Sequence, residues 1–347
     1  MNTITWLHLS DLHVCGEDPA DRDDFDNILA DIRITRSKRA LNPDAIFFTG
    51  DVAFSGQKEQ YDLACKWFDD ILDACGLPGQ RDRLFVVPGN HDINREVVQR
   101  TKLTLSHHES LAETLLRSDS YDMVEEFLKS EPDREWVFAK FHNFAQFIGE
   151  FFNDEEMEFN HNRYYSVRCL ETHQVVVLGL NSAWLSFRDN EQGQLLLGEK
   201  QVCDALREAR DGWPDARLCL AMVHHPLYWL AEKDIHKLQQ HLPGRCDVLL
   251  QGHLHYSGFS VQSTPDAYIH AFAAGASLGA NYHAYNIVQL NLDTGEGIAV
   301  VRLQHNDIGK NWGHDTLTYR HAQNGEIKFS LKLGEGHWAS GEPAAEV

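Results

Sequence analysis

Five short pieces of this chain close an apolar run with side chains that bind cations. They are Asp11-x-His13 after Ile4–Leu9, Gly50-Asp51 after Ala45–Phe48, Gly89-Asn90-His91-Asp92 after Leu84–Val87, His224-His225-Pro226 after Leu218–Val223, and Gly252-His253-x-His255 after Val248–Gln251. Carboxylate, imidazole and carboxamide donors without thiolate suit borderline or hard divalent and trivalent metals. Seven ligand candidates are more than one tetrahedral ion takes, and they fit two. Two ions about 4 Å apart, bridged by a carboxylate and a hydroxide, make a centre for in-line displacement at phosphorus. Any one of these histidines alone is explained as a core or surface residue, as we expect for His8, His107, His108, His142 and His173. Five pieces in this order, each behind a strand-like run, are not.

The elements around them must bring the five pieces together. In an open α/β sheet the loops after strand C-termini converge on one crevice. Residues two apart on extended chain point the same way, so Asp11 and His13 can reach one ion, and His253 and His255 repeat that spacing. The glycines are expected to let the backbone turn so that the next side chain faces inward. Gln174–Leu180 reads as a further buried strand, and Asp24–Ala40, Glu59–Ala74 and Glu199–Arg210 read as helices between strands. This alternation predicts an α/β fold. After Gly258 the texture changes to strands at Tyr268–Ala273, Tyr285–Leu292 and Gly297–Gln304, predicting a meander. Residues 95–163 interrupt the alternation with helical pieces at Val97–Leu116 and Glu135–Phe152, the latter with a heavy aromatic stripe. That stripe reads as packing for a helical insertion, or as a cap that shapes a substrate pocket. We therefore divide the chain into 1–305, containing the insertion 95–163, and 306–347, a C-terminal hairpin followed by a tail.

The motif order resembles the calcineurin-like metallophosphoesterase superfamily, and the "HHP" and "GHLH" pieces resemble its bacterial cyclic-nucleotide phosphodiesterase branch. The resemblance spans about residues 4–305. It implies a four-layer α/β/β/α sandwich with a two-metal centre between the sheets. It also implies Asp11, His13 and His255 on the first metal, Asn90, His224 and His253 on the second, and Asp51 bridging them. His91 corresponds to the histidine that contacts the substrate phosphate and protonates the leaving oxygen, and Asp92 to its orienting partner. His225 has no firm role. The implied cofactors are two divalent or trivalent ions: manganese first, with iron or zinc accepted by the same donors. Outside the motifs, Arg95 reads equally as a phosphate contact or a structural salt bridge. Asn181 reads as turn-forming, and Asn281, Tyr282 and His283 as a glycine-rich loop near the crevice. Cys15, although close to Asp11 and His13, reads as a bystander.

Composition narrows the partner. The chain has 347 residues with 31 Lys and Arg against 52 Asp and Glu, a net charge of −21. That surface lacks the basic footprint a phosphate polymer needs. The acidic stretch Glu17–Asp31 reads as a solvated loop and helix face. The seven cysteines form no C-x-x-C pair, which fits reduced thiols in a cytoplasmic protein. No basic stretch leads into an apolar run at the start, so no secretory leader is expected. No window approaches the roughly 18 apolar residues of a membrane span. The expected activity is hydrolysis of a phosphodiester, or a phosphomonoester, of a nucleotide or other small molecule. A repair-type nuclease and a partner-binding module with a metal-stabilised fold are the alternatives. Protein partners and oligomeric state are not legible.

Overall fold

Alternation along the buried strands sorts side chains to two faces. In β1 (Thr3–Leu9) and β2 (Ala45–Phe48), Ile4, Trp6, Ala45 and Phe47 share one apolar layer, while Leu7, Leu9, Ile46 and Phe48 share another. In β6 (Leu218–Met222) and β7 (Val248–Gln251), Leu218, Leu220, Met222, Val248 and Leu250 join the first layer, and Cys219, Ala221 and Leu249 face away from it. The shared layer is the contact between two sheets, and both outer faces are covered by helices. Strands buried on both sides carry no polar face, which is why they read as continuous apolar runs. The computed structural model describes residues 2–117, 121–153, 157–265, 267–278, 283–305, 311–315, 318–319 and 322–333.

The remaining strands are β3 (Leu84–Val86), β4 (Ser166–Leu170), β5 (Val175–Gly179), β8 (Gly258–Ser263), β9 (Tyr268–Ala273), β10 (Ala284–Asn291), β11 (Glu296–His305), β12 (Asn311–His314) and β13 (Glu326–Ser330). The first sheet has the order β12-β11-β10-β1-β2-β3, with β13 also paired to β11; the second is β4-β5-β6-β7-β9-β8. β1, β2 and β3 are parallel, as are β5, β6, β7 and β9. Helices α1 (Pro19–Arg39) and α2 (Lys58–Cys75) cover the first sheet, and α8 (Glu199–Gly212) and α9 (Glu232–Leu238) cover the second. The result is the four-layer α/β/β/α sandwich with a helical insertion. Among the described residues, no helix is long and apolar enough to cross a membrane.

Several expectations are corrected. The strands after Gly258 are not one meander. β8 and β9 pair in the second sheet, after which the chain crosses to the first sheet for β10 and β11. Of the C-terminal hairpin expected between 316–321 and 326–333, the first half lies mostly outside the described residues; the second half contains β13, which pairs with β11, while β12 pairs with the opposite end of that long strand. β12 and β13 thus extend the first sheet, and the expected tail 334–347 lies outside the described residues. α1 starts at Pro19, five residues before the expected Asp24, because Asp18 caps it, its carboxylate accepting from the Ala20 N–H at 2.8 Å.

The insertion is helical as expected: α3 (Arg95–Val98), α4 (Lys102–Arg117), α5 (Asp122–Lys129), α6 (Glu131–Phe138) and α7 (His142–Phe152). Its aromatic stripe is packing. Phe147 stacks on Tyr61 of α2 with centroids 5.3 Å apart, and Phe144 and Phe151 are buried in the same core.

The acidic stretch hides an exception. Asp31 is buried, pairs with Arg302 of β11 at 2.6 and 2.9 Å, and accepts from the Tyr285 hydroxyl at 2.6 Å. This ties α1 to the sheet beneath it. Removing one partner of a buried pair leaves an uncompensated charge, so Asp31→Ala is expected to cost about 3–5 kcal/mol. Urea unfolding followed by circular dichroism checks this: a midpoint equal to that of the unsubstituted protein would contradict it.

Candidate metal centre

The C-terminal ends of β1, β2, β3, β6 and β7 deliver the five motifs to one place. Asp11 Oδ1 lies 3.3 Å from His255 Nε2 and 3.7 Å from His13 Nε2, and the two imidazole nitrogens are 3.3 Å apart. In a second group, His224 Nε2 lies 3.1 Å from Asn90 Oδ1, 3.2 Å from His253 Nδ1 and 3.2 Å from Asp51 Oδ2. The same Asp51 oxygen is 3.9 Å from His13 Nε2, so one carboxylate touches both groups. Donors about 2.1 Å from a common ion stand about 3.0–3.4 Å from one another; five of these seven spacings are of that size, and the two from His13 Nε2 to the carboxylates are longer, at 3.7 and 3.9 Å.

The local backbone explains the convergence, and it differs from the extended chain read from sequence. Asp11, His13, Asp51, His253 and His255 all have left-handed backbone, with φ between 48° and 67°. They are five of the nine non-glycine residues with positive φ among the described ones. Such conformations cost on the order of 1–3 kcal/mol each and cluster where function demands them. Asp11 and His13 therefore meet one site through successive kinks rather than a pleat. His253 and His255 diverge, the former to His224 and Asn90, the latter to Asp11 and His13.

The glycines act partly as expected. Gly50 does adopt a left-handed turn, with φ +94. Gly89 does not: its role is space, since a Cβ there would stand 2.1 Å from Asp51 Oδ1. Gly252 likewise lacks room, with Ser10 Oγ 1.9 Å from a Cβ position.

The side chains are fixed by partners that leave the facing atoms uncommitted. Asp51 Oδ1 accepts the His91 backbone N–H at 2.7 Å, Asp11 Oδ2 accepts the His253 N–H at 3.1 Å, and His224 Nδ1 sits 2.7 Å from the Thr49 carbonyl. Asp11 Oδ1 is buried and has no hydrogen-bond partner. Both carboxylates are fully buried, and among the described residues no lysine or arginine pairs with either. Burial drives the Asp51 carboxyl up, but the His224, His13 and His91 imidazoles hold it well below the usual range. Burial likewise favours neutral His224, yet Asp51 and Asp11 raise it to about 9. His253 goes the other way, to about 4, through burial and the neighbouring His224. A site that holds a buried imidazole charged in order to neutralise two buried carboxylates is a site that favours cations. The residues present fit metal ions.

His91 sits beside the first group, its ring centroid 4.7 Å from that of His13. Its Nδ1 is 2.7 Å from the Phe54 carbonyl, so this nitrogen carries the proton and Nε2 is left for the cavity. That cavity, about 170 Å³, is lined by His13, Asp21, Phe54, His91, His255 and Leu278.

Asp92 is not the orienting partner of His91. It is buried and accepts from the backbone N–H groups of Val52, Ala53 and Gly89 and from the Tyr61 hydroxyl, which pins the two ligand loops together. Burial and the Asp51 charge raise its carboxyl to about 6. Arg95 does not line the cavity. It pairs with Asp189 at 2.5 Å, the salt-bridge alternative.

His225 is buried beside the second group. Its Nδ1 is 3.0 Å from Ser182 Oγ and its Nε2 is 3.2 Å from Asn90 Oδ1. Asn181 Oδ1 accepts from Ala183 N–H, the turn-forming role. Asn281 and Tyr282 lie outside the described residues, while His283 is buried. Cys15 is exposed and contacts Asp21 rather than the ligands.

Sequence reasoning missed three contributors. The Phe54 and Thr49 carbonyls are backbone groups that leave no side-chain signal. Trp229, whose ring meets His253 at 4.1 Å, was detectable as an aromatic three residues beyond Pro226.

Two stacked sheets between helices, with buried carboxylate, imidazole and carboxamide donors at the strand ends, are the architecture and donor set that the resemblance to the calcineurin-like family implies. Residues 4–257 match the calcineurin-like phosphoesterase family, and the chain belongs to it. It is 24% identical over 336 residues to an uncharacterized metallophosphoesterase-like protein, YydB, of Bacillus subtilis strain 168, covering 94% of this chain and 65% of that protein. The chain thus spans less than two thirds of that relative. Among solved structures, it is similar to the sulfate thiohydrolase SoxB of Thermus thermophilus, with 14% identity, a TM-score of 0.40, and coverage of 83% of this chain and 54% of that one. It is also similar to Vps29 of Chaetomium thermophilum, with 10% identity, a TM-score of 0.33, and coverage of 95% and 100%.

Proposed function

We propose that the chain hydrolyses phosphodiesters of nucleotide-type or other small molecules, using two metal ions. The observation that carries this is the single Asp51 oxygen lying 3.2 Å from His224 and 3.9 Å from His13, one carboxylate common to two donor groups. Asp11, His13 and His255 would hold one ion and Asn90, His224 and His253 the other. The oxygen and nitrogen donors suit manganese, with iron or zinc as alternatives. When bound, the ions supply Lewis acidity at the phosphoryl oxygens.

The chain's own groups do the rest. Asp51 holds the two halves of the site in register. The Phe54 carbonyl fixes the His91 tautomer, and protonated His91 Nε2 donates to the departing oxygen. The net charge of −21 favours a small substrate over a polyanionic strand.

The test offers manganese-loaded protein bis-p-nitrophenyl phosphate, a panel of cyclic nucleotides, and linear single-stranded DNA. Diester hydrolysis that stops on chelation, without DNA cleavage, is expected. DNA degradation would replace this reading with a nuclease. No turnover of any substrate with any metal would leave a partner-binding module.

A further inference from the structure

Exposed aromatic rings on this protein are concentrated at the metal centre. Among the described residues, four aromatic side chains rank as exposed, and three of them, Phe54, Tyr228 and Tyr256, flank the centre. Phe54 lines the cavity beside His13 and His91, with its ring centroid 5.6 Å from that of His91. Tyr256 directly follows His255, and Tyr228 directly precedes Trp229, whose half-buried ring packs edge-on against His253. The two tyrosines, 51% and 53% exposed, are in hydrogen-bond contact with each other. They form one ledge beside the turn that carries both histidines of the Gly252-His253-x-His255 motif.

Large exposed rings lose apolar burial and are retained on a surface where something covers them. The cavity of about 170 Å³ accommodates a phosphoryl group and its ester oxygens, and the rest of a substrate must lie across the rim. We propose that Tyr228 and Tyr256 are the stacking shelf for a nucleobase, so that the substrate class is a nucleoside phosphoester. This rests on the hydrolase reading above and adds a subsite to it. The two tyrosines present π-faces and hydroxyls, and among the described residues that line the cavity there is no lysine or arginine, which suits a neutral aromatic base rather than a second phosphate. A base stacks on tyrosine whatever its identity, so the shelf selects for a nucleoside more than for one base.

The test isolates the base. Manganese-loaded protein is titrated calorimetrically with adenosine 5′-monophosphate and with ribose 5-phosphate, which share phosphate and sugar. The adenosine compound is expected to bind about tenfold tighter. The double variant Tyr228→Ala/Tyr256→Ala should bring the two affinities within about twofold, whereas Tyr228→Phe/Tyr256→Phe, which keeps both faces, should retain the preference. If the double alanine variant fails to fold, Tyr256→Ala alone, at a surface position, is expected to reduce the ratio. Equal affinities in the unsubstituted protein, or a preference that survives the alanine variant, overturns the shelf. Failure to hydrolyse bis-p-nitrophenyl phosphate with the preference intact removes the hydrolase reading and leaves the shelf standing.

Discussion

Asp51→Asn is expected to abolish metal uptake and phosphoester turnover together. The substitution is close to isosteric, and the amide oxygen can keep the bond that Asp51 Oδ1 accepts from the His91 N–H. The amide nitrogen then occupies the Oδ2 position, 3.2 Å from His224 Nε2 and 3.9 Å from His13 Nε2. A donor with no negative charge would stand where both donor groups share an anion. Losing an outer partner of a ligand alone costs about ten- to a hundredfold in metal affinity. Losing the shared ligand should cost more, and hydrolysis of bis-p-nitrophenyl phosphate should fall by more than about a thousandfold. Elemental analysis of the purified variant beside its rate provides the check. Wild-type metal content in Asp51→Asn would show that the two groups do not depend on this carboxylate, and the shared-site reading would fail.

What the sequence made legible at this site was chemical, and what it concealed was conformational. Asp11, His13, Asp51, Asn90, His224, His253 and His255 could be found because each follows an apolar run and each is a ligand type. Their left-handed backbone could not, since Asp and His carry no local signal for it comparable to that of glycine. The two-residue spacing of His253 and His255 does not by itself separate them, whereas the resemblance places them on different ions, and they do lie with opposite groups. Gly89 was legible as important and misread in cause: the requirement is the packing of the Asp51 carboxylate against its Cα, a contact between distant segments.

The fold divides in the same way. β2, β7 and β9 start and end at the residues expected, because a short apolar run bounded by polar residues is a local feature. β4 and β8 are partly exposed and carry no such run. The pairing of β13 with β11 is a tertiary choice, since a hairpin strand and a docked strand have the same local pattern. Asp31 was assigned to the solvated acidic stretch because its partners Arg302 and Tyr285 lie more than 250 positions away.

His91→Ala is expected to separate metal binding from catalysis. The imidazole is held by the Phe54 carbonyl at 2.7 Å, while the backbone N–H of the same residue supports Asp51. Alanine removes the first and keeps the second, so the shared carboxylate stays in place. Metal content should therefore match that of the unsubstituted protein. The geometry also allows another role, because His13, Asp51 and His91 together offer ligand atoms close enough for one ion. If His91 were a ligand, its loss would lower the metal content along with the rate. As a proton donor it matters only where the leaving oxygen is basic. General acid catalysis contributes about 10²–10⁴-fold, so hydrolysis of an alkyl phosphodiester should fall by that factor. A p-nitrophenyl ester, whose departing oxygen is stable as the anion, should lose much less. An equal loss on both esters would point instead to displaced metal or disturbed substrate binding. No loss on the alkyl ester would take the proton-donor role from His91 altogether. Asp92→Asn does not repeat this pattern, because Asp92 holds the loops through Val52, Ala53 and Gly89 and leaves the His91 ring to Phe54.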